Sequence, residues 1–134
     1  MSELNKIALK ILSNGKGILA ADESNGTMTK RLESVNVTSN PENRLLFRET
    51  LFSADGMKDF IGGVILYDET INQTSNLKHT IPELISKSGA VPGIKVDTGA
   101  KILAGSHEEK ITEGLDGLRE RLRLISKFTK NYKR

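Results

Sequence analysis

Cysteine and tryptophan are absent from the 134 residues, and His79 and His107 are the two histidines. Without cysteine there is no disulfide, no thiolate metal site and no cysteine nucleophile. Two histidines offer little from which to build an imidazole-based metal centre. No apolar run approaches the ~20 residues needed to cross a bilayer. The start, Met1-Ser2-Glu3-Leu4-Asn5-Lys6, lacks the basic opening and long apolar stretch of a secretory signal. These absences lead to the expectation of a cytoplasmic protein with no membrane partner and no metal.

What is present is ordinary for a globular chain: 37% hydrophobic and 28% charged residues. The length suits one domain, well short of the roughly 250 residues of a closed eight-stranded α/β barrel. The formal charge of +3 is unevenly placed, because Arg119, Arg121, Arg123, Lys127, Lys130, Lys133 and Arg134 are opposed by Glu120 alone after residue 118. Such an end can contact nucleic acid. With only Phe128 and Tyr132 as stacking platforms, a solvated helix face is the preferred reading and nucleic acid is not an expected partner.

Along the chain, Leu4, Ile7, Ala8, Ile11 and Leu12 recur at helical spacing, and Asn14-Gly15 marks a stop. Lys16 to Ala21 then reads as a strand leading to Asp22, Glu23 and Ser24. Met28, Leu32 and Val35 form a short helical stripe. Asn40-Pro41 reads as an N-cap with proline at the first helical position, and Leu45, Leu46, Leu51 and Phe52 supply the apolar face as far as Asp55-Gly56. Val64 to Tyr67 is continuously apolar, as in a parallel strand buried on both faces. Thr80-x-x-Glu83 with Pro82 is a capping-box signature for a helix over 81–87 closed by Gly89. A third strand is expected over Gly93 to Asp97, and a last helix carries Leu115, Leu118, Leu122 and Ile125, with Phe128 and Tyr132 continuing its stripe. The alternation predicts an α/β domain with parallel strands and open sheet edges.

Polar residues at the carboxyl ends of such strands converge on active sites. Asp22, Glu69, Lys95 and Asp97 occupy such ends. Each also has a structural reading, since a carboxylate there can cap the next helix and a lysine can pair with it. Hydroxyls and cations at a helix start form an anion site, which fits Ser24, Thr27, Lys30 and Arg31. Equally, Ser24 can be a simple N-cap, and Lys30 and Arg31 an exposed helix face. Gly62-Gly63 lies before the second strand, whereas phosphate-cradling glycines follow one, so it is not a nucleotide loop. Gly114-x-x-Gly117 reads as loop and packing.

Three stretches, Lys16 to Ser24, Gly62 to Thr70 and Gly93 to Asp97, resemble in order the first strands of class I fructose-bisphosphate aldolases, and the likeness runs from about residue 6 to about residue 122. The resemblance implies part of a (β/α)8 TIM barrel, cut after its third strand. The whole chain, 1–134, would be the N-terminal part of one such domain, with a divergent basic tail over about 123–134. It implies reversible, metal-free cleavage of fructose 1,6-bisphosphate to dihydroxyacetone phosphate and glyceraldehyde 3-phosphate in glycolysis and gluconeogenesis, with no cofactor. Asp22 matches the carboxylate beside the family's Schiff base and is its candidate catalytic residue. Ser24, Thr27, Lys30, Arg31 and Lys95 match residues around the sugar phosphate, with threonine at 27 where serine is usual. The Schiff-base lysine of the family lies on a later strand, so little or no activity is expected of these residues alone. A non-catalytic sugar-phosphate-binding fragment, or a truncated gene product, is the alternative expectation. Homotetramers are common in the family.

Overall fold

The computed structural model describes residues 2–129. Tyr132 and the basic residues Lys130, Lys133 and Arg134 lie outside the described residues. The chain divides into two compact units, 1–95 and 96–134.

The first unit opens with α1 (Glu3–Leu12), capped by the Ser2 hydroxyl, which accepts from the Asn5 amide. A 3-10 turn at Ser13–Gly15 ends it, with Asn14 and Gly15 at φ of 57° and 70°. That left-handed pair explains the Asn-Gly stop. Then come β1 (Gly17–Ala21), α2 (Asn25–Glu33), α3 (Pro41–Phe52), the one-turn α4 (Met57–Phe60), β2 (Ile61–Leu66), the one-turn α5 (Asp68–Ile71), α6 (Ile81–Lys87) and β3 (Val91–Ile94). The strands form one parallel sheet, ordered β1-β2-β3.

Val64 and Leu66 of β2 are buried beside Ala21 of β1. Met28 and Leu32 of α2, Phe52 of α3, Met57 of α4, Ile71 of α5, and Ile81, Leu84 and Ile85 of α6 pack into the same core. The helix α6 has its reciprocal capping box: Thr80 Oγ1 accepts from the Glu83 amide, and Glu83 Oε2 accepts from the Thr80 amide at 2.8 Å.

Several expectations require correction. The second strand begins at Ile61, so Gly62 and Gly63 lie inside it. Their reason is close packing: a Cβ on Gly62 would stand 1.8 Å from the Ile11 carbonyl oxygen of α1. Only a glycine lets that helix backbone reach the strand. The third strand runs over Val91–Ile94 and leaves Lys95 as the first residue beyond it. In α3 the predicted apolar face is partly outward, with Leu46 and Leu51 exposed, while Arg44, Arg48, Glu49 and Phe52 are buried. Helix α2 ends at Glu33, leaving Val35 exposed beyond it.

The second unit holds an antiparallel hairpin of β4 (Gly99–Ile102) and β5 (Lys110–Glu113), which was not expected, and α7 (Leu118–Thr129). The hairpin is short, and residues 100–105 and 107–113 are exposed, so no apolar alternation marks it. Leu115, expected within the last helix, precedes it and is exposed. Gly114 and Gly117 take φ of 146° and 68°, in keeping with a loop between hairpin and helix.

Candidate functional site

Parallel pairing brings three strand ends level: Ala21 aligns with Leu66, and Leu66 with Ile94. The residue after each strand therefore emerges at one edge of the sheet, placing Asp22, Tyr67 and Lys95 in a row. The Lys95 amide continues the ladder by donating to the Leu66 carbonyl at 3.0 Å. Its side chain spans the middle strand, and Nζ stands 3.5 Å from Asp22 Oδ2. Two strand spacings amount to about 9.6 Å, a distance suited to a lysine rather than a shorter cation.

Beyond Asp22 the chain turns into α2. Ser24 is its N-cap, with Oγ accepting from the Thr27 amide at 3.4 Å and lying 3.2 Å from Thr27 Oγ1. One turn later Arg31 Nη1 donates to Glu23 Oε1. Ala20, Asp22, Glu23, Ser24, Thr27, Arg31 and Lys95 enclose an open cleft of about 280 Å³. Two cations, two hydroxyls and a helix start thus converge on one concave surface, the donor set that holds a phosphate.

Of the residues singled out from the sequence, Asp22, Ser24, Thr27, Arg31 and Lys95 meet at this cleft. Lys30 does not: it is an exposed residue of α2 outside the lining. Asp97 belongs to the second unit, where Oδ1 accepts from the Gly99 amide at 3.1 Å at the entry to the hairpin.

Beneath the cleft is a cluster in which the sequence had marked Glu69, as a strand-end carboxylate, but neither arginine. Arg44 and Arg48, one turn apart on α3, are both buried. Arg44 grips Glu69 with two donors, Nε to Oε2 at 2.9 Å and Nη2 to Oε1 at 2.5 Å. Arg48, with no exposed surface, donates from Nη2 to the Glu23 carbonyl at 2.6 Å and from Nη1 to Thr70 Oγ1 at 2.7 Å. Its guanidinium also lies 3.8 Å from Glu69 Oε2 and 5.9 Å from the centre of the Tyr67 ring. Glu69, at the start of α5, therefore holds α3 against the end of β2.

The bidentate bond from Arg44 holds the Glu69 carboxyl below its ordinary range, and Glu69 in return raises the Arg44 guanidinium. Burial pushes Arg48 down, against the opposing pull of Glu23 and Glu69. A guanidinium remains charged at neutral pH regardless. An unpaired buried charge costs several kcal/mol, so this cluster stands only because each partner is in place.

A family model described as fructose-bisphosphate aldolase class-I, of the glycolytic type, matches residues 3–132. Fructose-bisphosphate aldolase 2 of Caenorhabditis elegans is 48% identical over 125 residues, covering 93% of this chain and 34% of that protein. Fructose-bisphosphate aldolase A of Salmo salar is 52% identical over 120 residues, covering 89% and 33%. A probable class 1 aldolase of Xylella fastidiosa is 46% identical over 122 residues, covering 91% and 36%. Among solved structures, Plasmodium falciparum fructose-bisphosphate aldolase, crystallised with TRAP and a small-molecule inhibitor, superposes with a TM-score of 0.88 at 41% identity, covering 94% of this chain and 36% of that one. The chain spans about a third of the length of the curated relatives it matches.

Proposed function

This chain belongs to the class I fructose-bisphosphate aldolase family, and from that premise we propose that its 134 residues form the first sector of an aldolase barrel and bind a phosphate of the sugar substrate. One observation carries the reading: Ser24, Thr27, Arg31 and Lys95, from two strand ends and one helix, line a single cleft. The cleft lies at the carboxyl ends of parallel strands, where barrels of this type place their chemistry.

In this reading Arg31 and Lys95 supply the charge. Ser24 and Thr27 supply hydroxyl donors, and Lys30 contributes a long-range field from outside the lining. Asp22, held toward the cleft by Lys95, is the proton-transferring carboxylate of the family reaction, the reversible cleavage of fructose 1,6-bisphosphate. We assign carbon–carbon cleavage to the whole family enzyme and phosphate binding to the residues described. The single-domain barrel, the basic tail over 123–134, a cytoplasmic location and homotetrameric assembly belong to the same proposal.

Calorimetric titration of the chain with fructose 1,6-bisphosphate tests it, with Arg31→Ala as the comparison. Saturable binding, weakened by the substitution, is expected. Reduction with borohydride in the presence of dihydroxyacetone phosphate is expected to leave the intact mass unchanged, since no lysine here is assigned to the Schiff base. A stoichiometric adduct instead would place the nucleophilic amine among these residues.

A further inference from the structure

Glu23 is the polar lining residue of the cleft for which neither the sequence pattern nor the proposed reaction supplies a role. Its Oε1 accepts from Arg31 Nη1, while Oε2 is buried with no hydrogen-bond partner among the described residues. The pair is not held as a surface strut, because Arg31 is 53% exposed and such pairs contribute only about 0–1 kcal/mol. The Glu23 backbone, by contrast, is fixed: Arg48 holds its carbonyl from below at 2.6 Å. The carboxylate is thereby kept inside the cleft that the cations serve.

Neighbouring Asp22 mirrors the arrangement by facing Lys95. Two carboxylates thus oppose the two cations of the cleft, and the formal charges of these four groups sum to zero. A phosphate arriving there has to offer the guanidinium more than Glu23 already does.

We propose that Glu23 sets the anion selectivity of the cleft: its carboxylate occupies Arg31 in the free protein, and a phosphate dianion binds by taking that carboxylate's place. A carboxylate presents one negative charge and two oxygens. A phosphate monoester presents close to two charges and three oxygens, and so wins the exchange. A monoanion of similar size gains nothing by it. Glu23 is then a specificity-determining residue of the cleft, an inference that rests on the phosphate reading above.

The test is a double-variant cycle on the full chain, titrated calorimetrically with fructose 1,6-bisphosphate. The variants are Glu23→Gln, Arg31→Ala and the two together, each checked by circular dichroism for an unchanged melting transition. Glutamine keeps the shape of Glu23 and leaves the carbonyl bond to Arg48 untouched. Glu23→Gln is expected to tighten binding about threefold to tenfold, while in the Arg31→Ala background the same change is expected to alter it by less than about twofold. Acetate, added as a monoanionic competitor, is expected to compete better in Glu23→Gln than in the parent.

Unchanged or weaker binding in Glu23→Gln overturns the inference, for then Glu23 orients Arg31 rather than competing for it. An equal gain in both backgrounds also overturns it, leaving only general charge relief. In either case the phosphate reading stands, provided that Arg31→Ala still weakens binding. Loss of binding in the parent and Glu23→Gln alike removes both.

Discussion

Arg48 of α3 donates 2.6 Å to the backbone carbonyl of Glu23, so a side chain with no exposed surface fixes the segment that carries Asp22, Glu23 and Ser24. The same guanidinium reaches Thr70 at 2.7 Å, joining the ends of the first two strands from beneath.

Arg48→Met is therefore expected to destabilise the fold by roughly 3 kcal/mol, because the Glu23 carbonyl and Thr70 hydroxyl lose their donor in a buried place. Urea denaturation followed by circular dichroism measures the cost. A midpoint equal to that of the parent contradicts the role given to Arg48.

Two glycine substitutions should part company. Gly62→Ala drives a methyl group to 1.8 Å from the Ile11 carbonyl oxygen and must displace α1. The expected loss is about 1–3 kcal/mol or more. Gly26→Ala meets no atom within 4 Å, in the first turn of α2. There the change is expected to be neutral or to stabilise by up to about 1 kcal/mol. Thermal melts of the two variants side by side make the comparison.

Acid stability should depend on Glu69, whose folded carboxyl titrates below its ordinary 4.5. A depressed folded value means that the contribution is complete above the unfolded value and is lost as pH falls through the folded one. Against the Glu69→Gln variant, the parent's advantage in urea midpoint is expected to be full at pH 7 and to shrink below about pH 4. An advantage that does not change with pH contradicts the assignment.

Lys30 and Arg31 are adjacent in sequence but not in role. Arg31 lines the cleft and Lys30 does not. Removing a charge-assisted bond costs about 1.5–3 kcal/mol, so Arg31→Ala is expected to weaken fructose 1,6-bisphosphate binding about tenfold or more, and Lys30→Ala less than about twofold. Equal losses contradict the placement of the cleft.

The end of the first strand and the helix starts were legible because they rest on local patterns: an apolar run ending in Asp22, an N-cap at Ser24, and a Thr80–Glu83 capping box. That the strands are parallel followed from their alternation with helices. The arginine cluster was hidden for a physical reason. Arg44 and Arg48 look like the wet face of α3 by residue type, and only partners distant in sequence, Glu69 for Arg44 and the Glu23 carbonyl and Thr70 for Arg48, make their burial tolerable. Lys30 and Arg31 could not be told apart, since the direction of each side chain depends on how α2 is rotated against the sheet. The hairpin of β4 and β5 has almost no buried side to produce a pattern. Glu23 was passed over because a carboxylate is an odd lining for an anion site until its pairing with Arg31 is seen.

The most direct measurement is a map of backbone amide chemical shifts during titration of the 15N-labelled chain with fructose 1,6-bisphosphate. Saturable shifts are expected at Ser24 to Thr27, Arg31 and Lys95. Saturable shifts confined to other residues, or none at millimolar ligand in a chain that gives a folded spectrum, would contradict it.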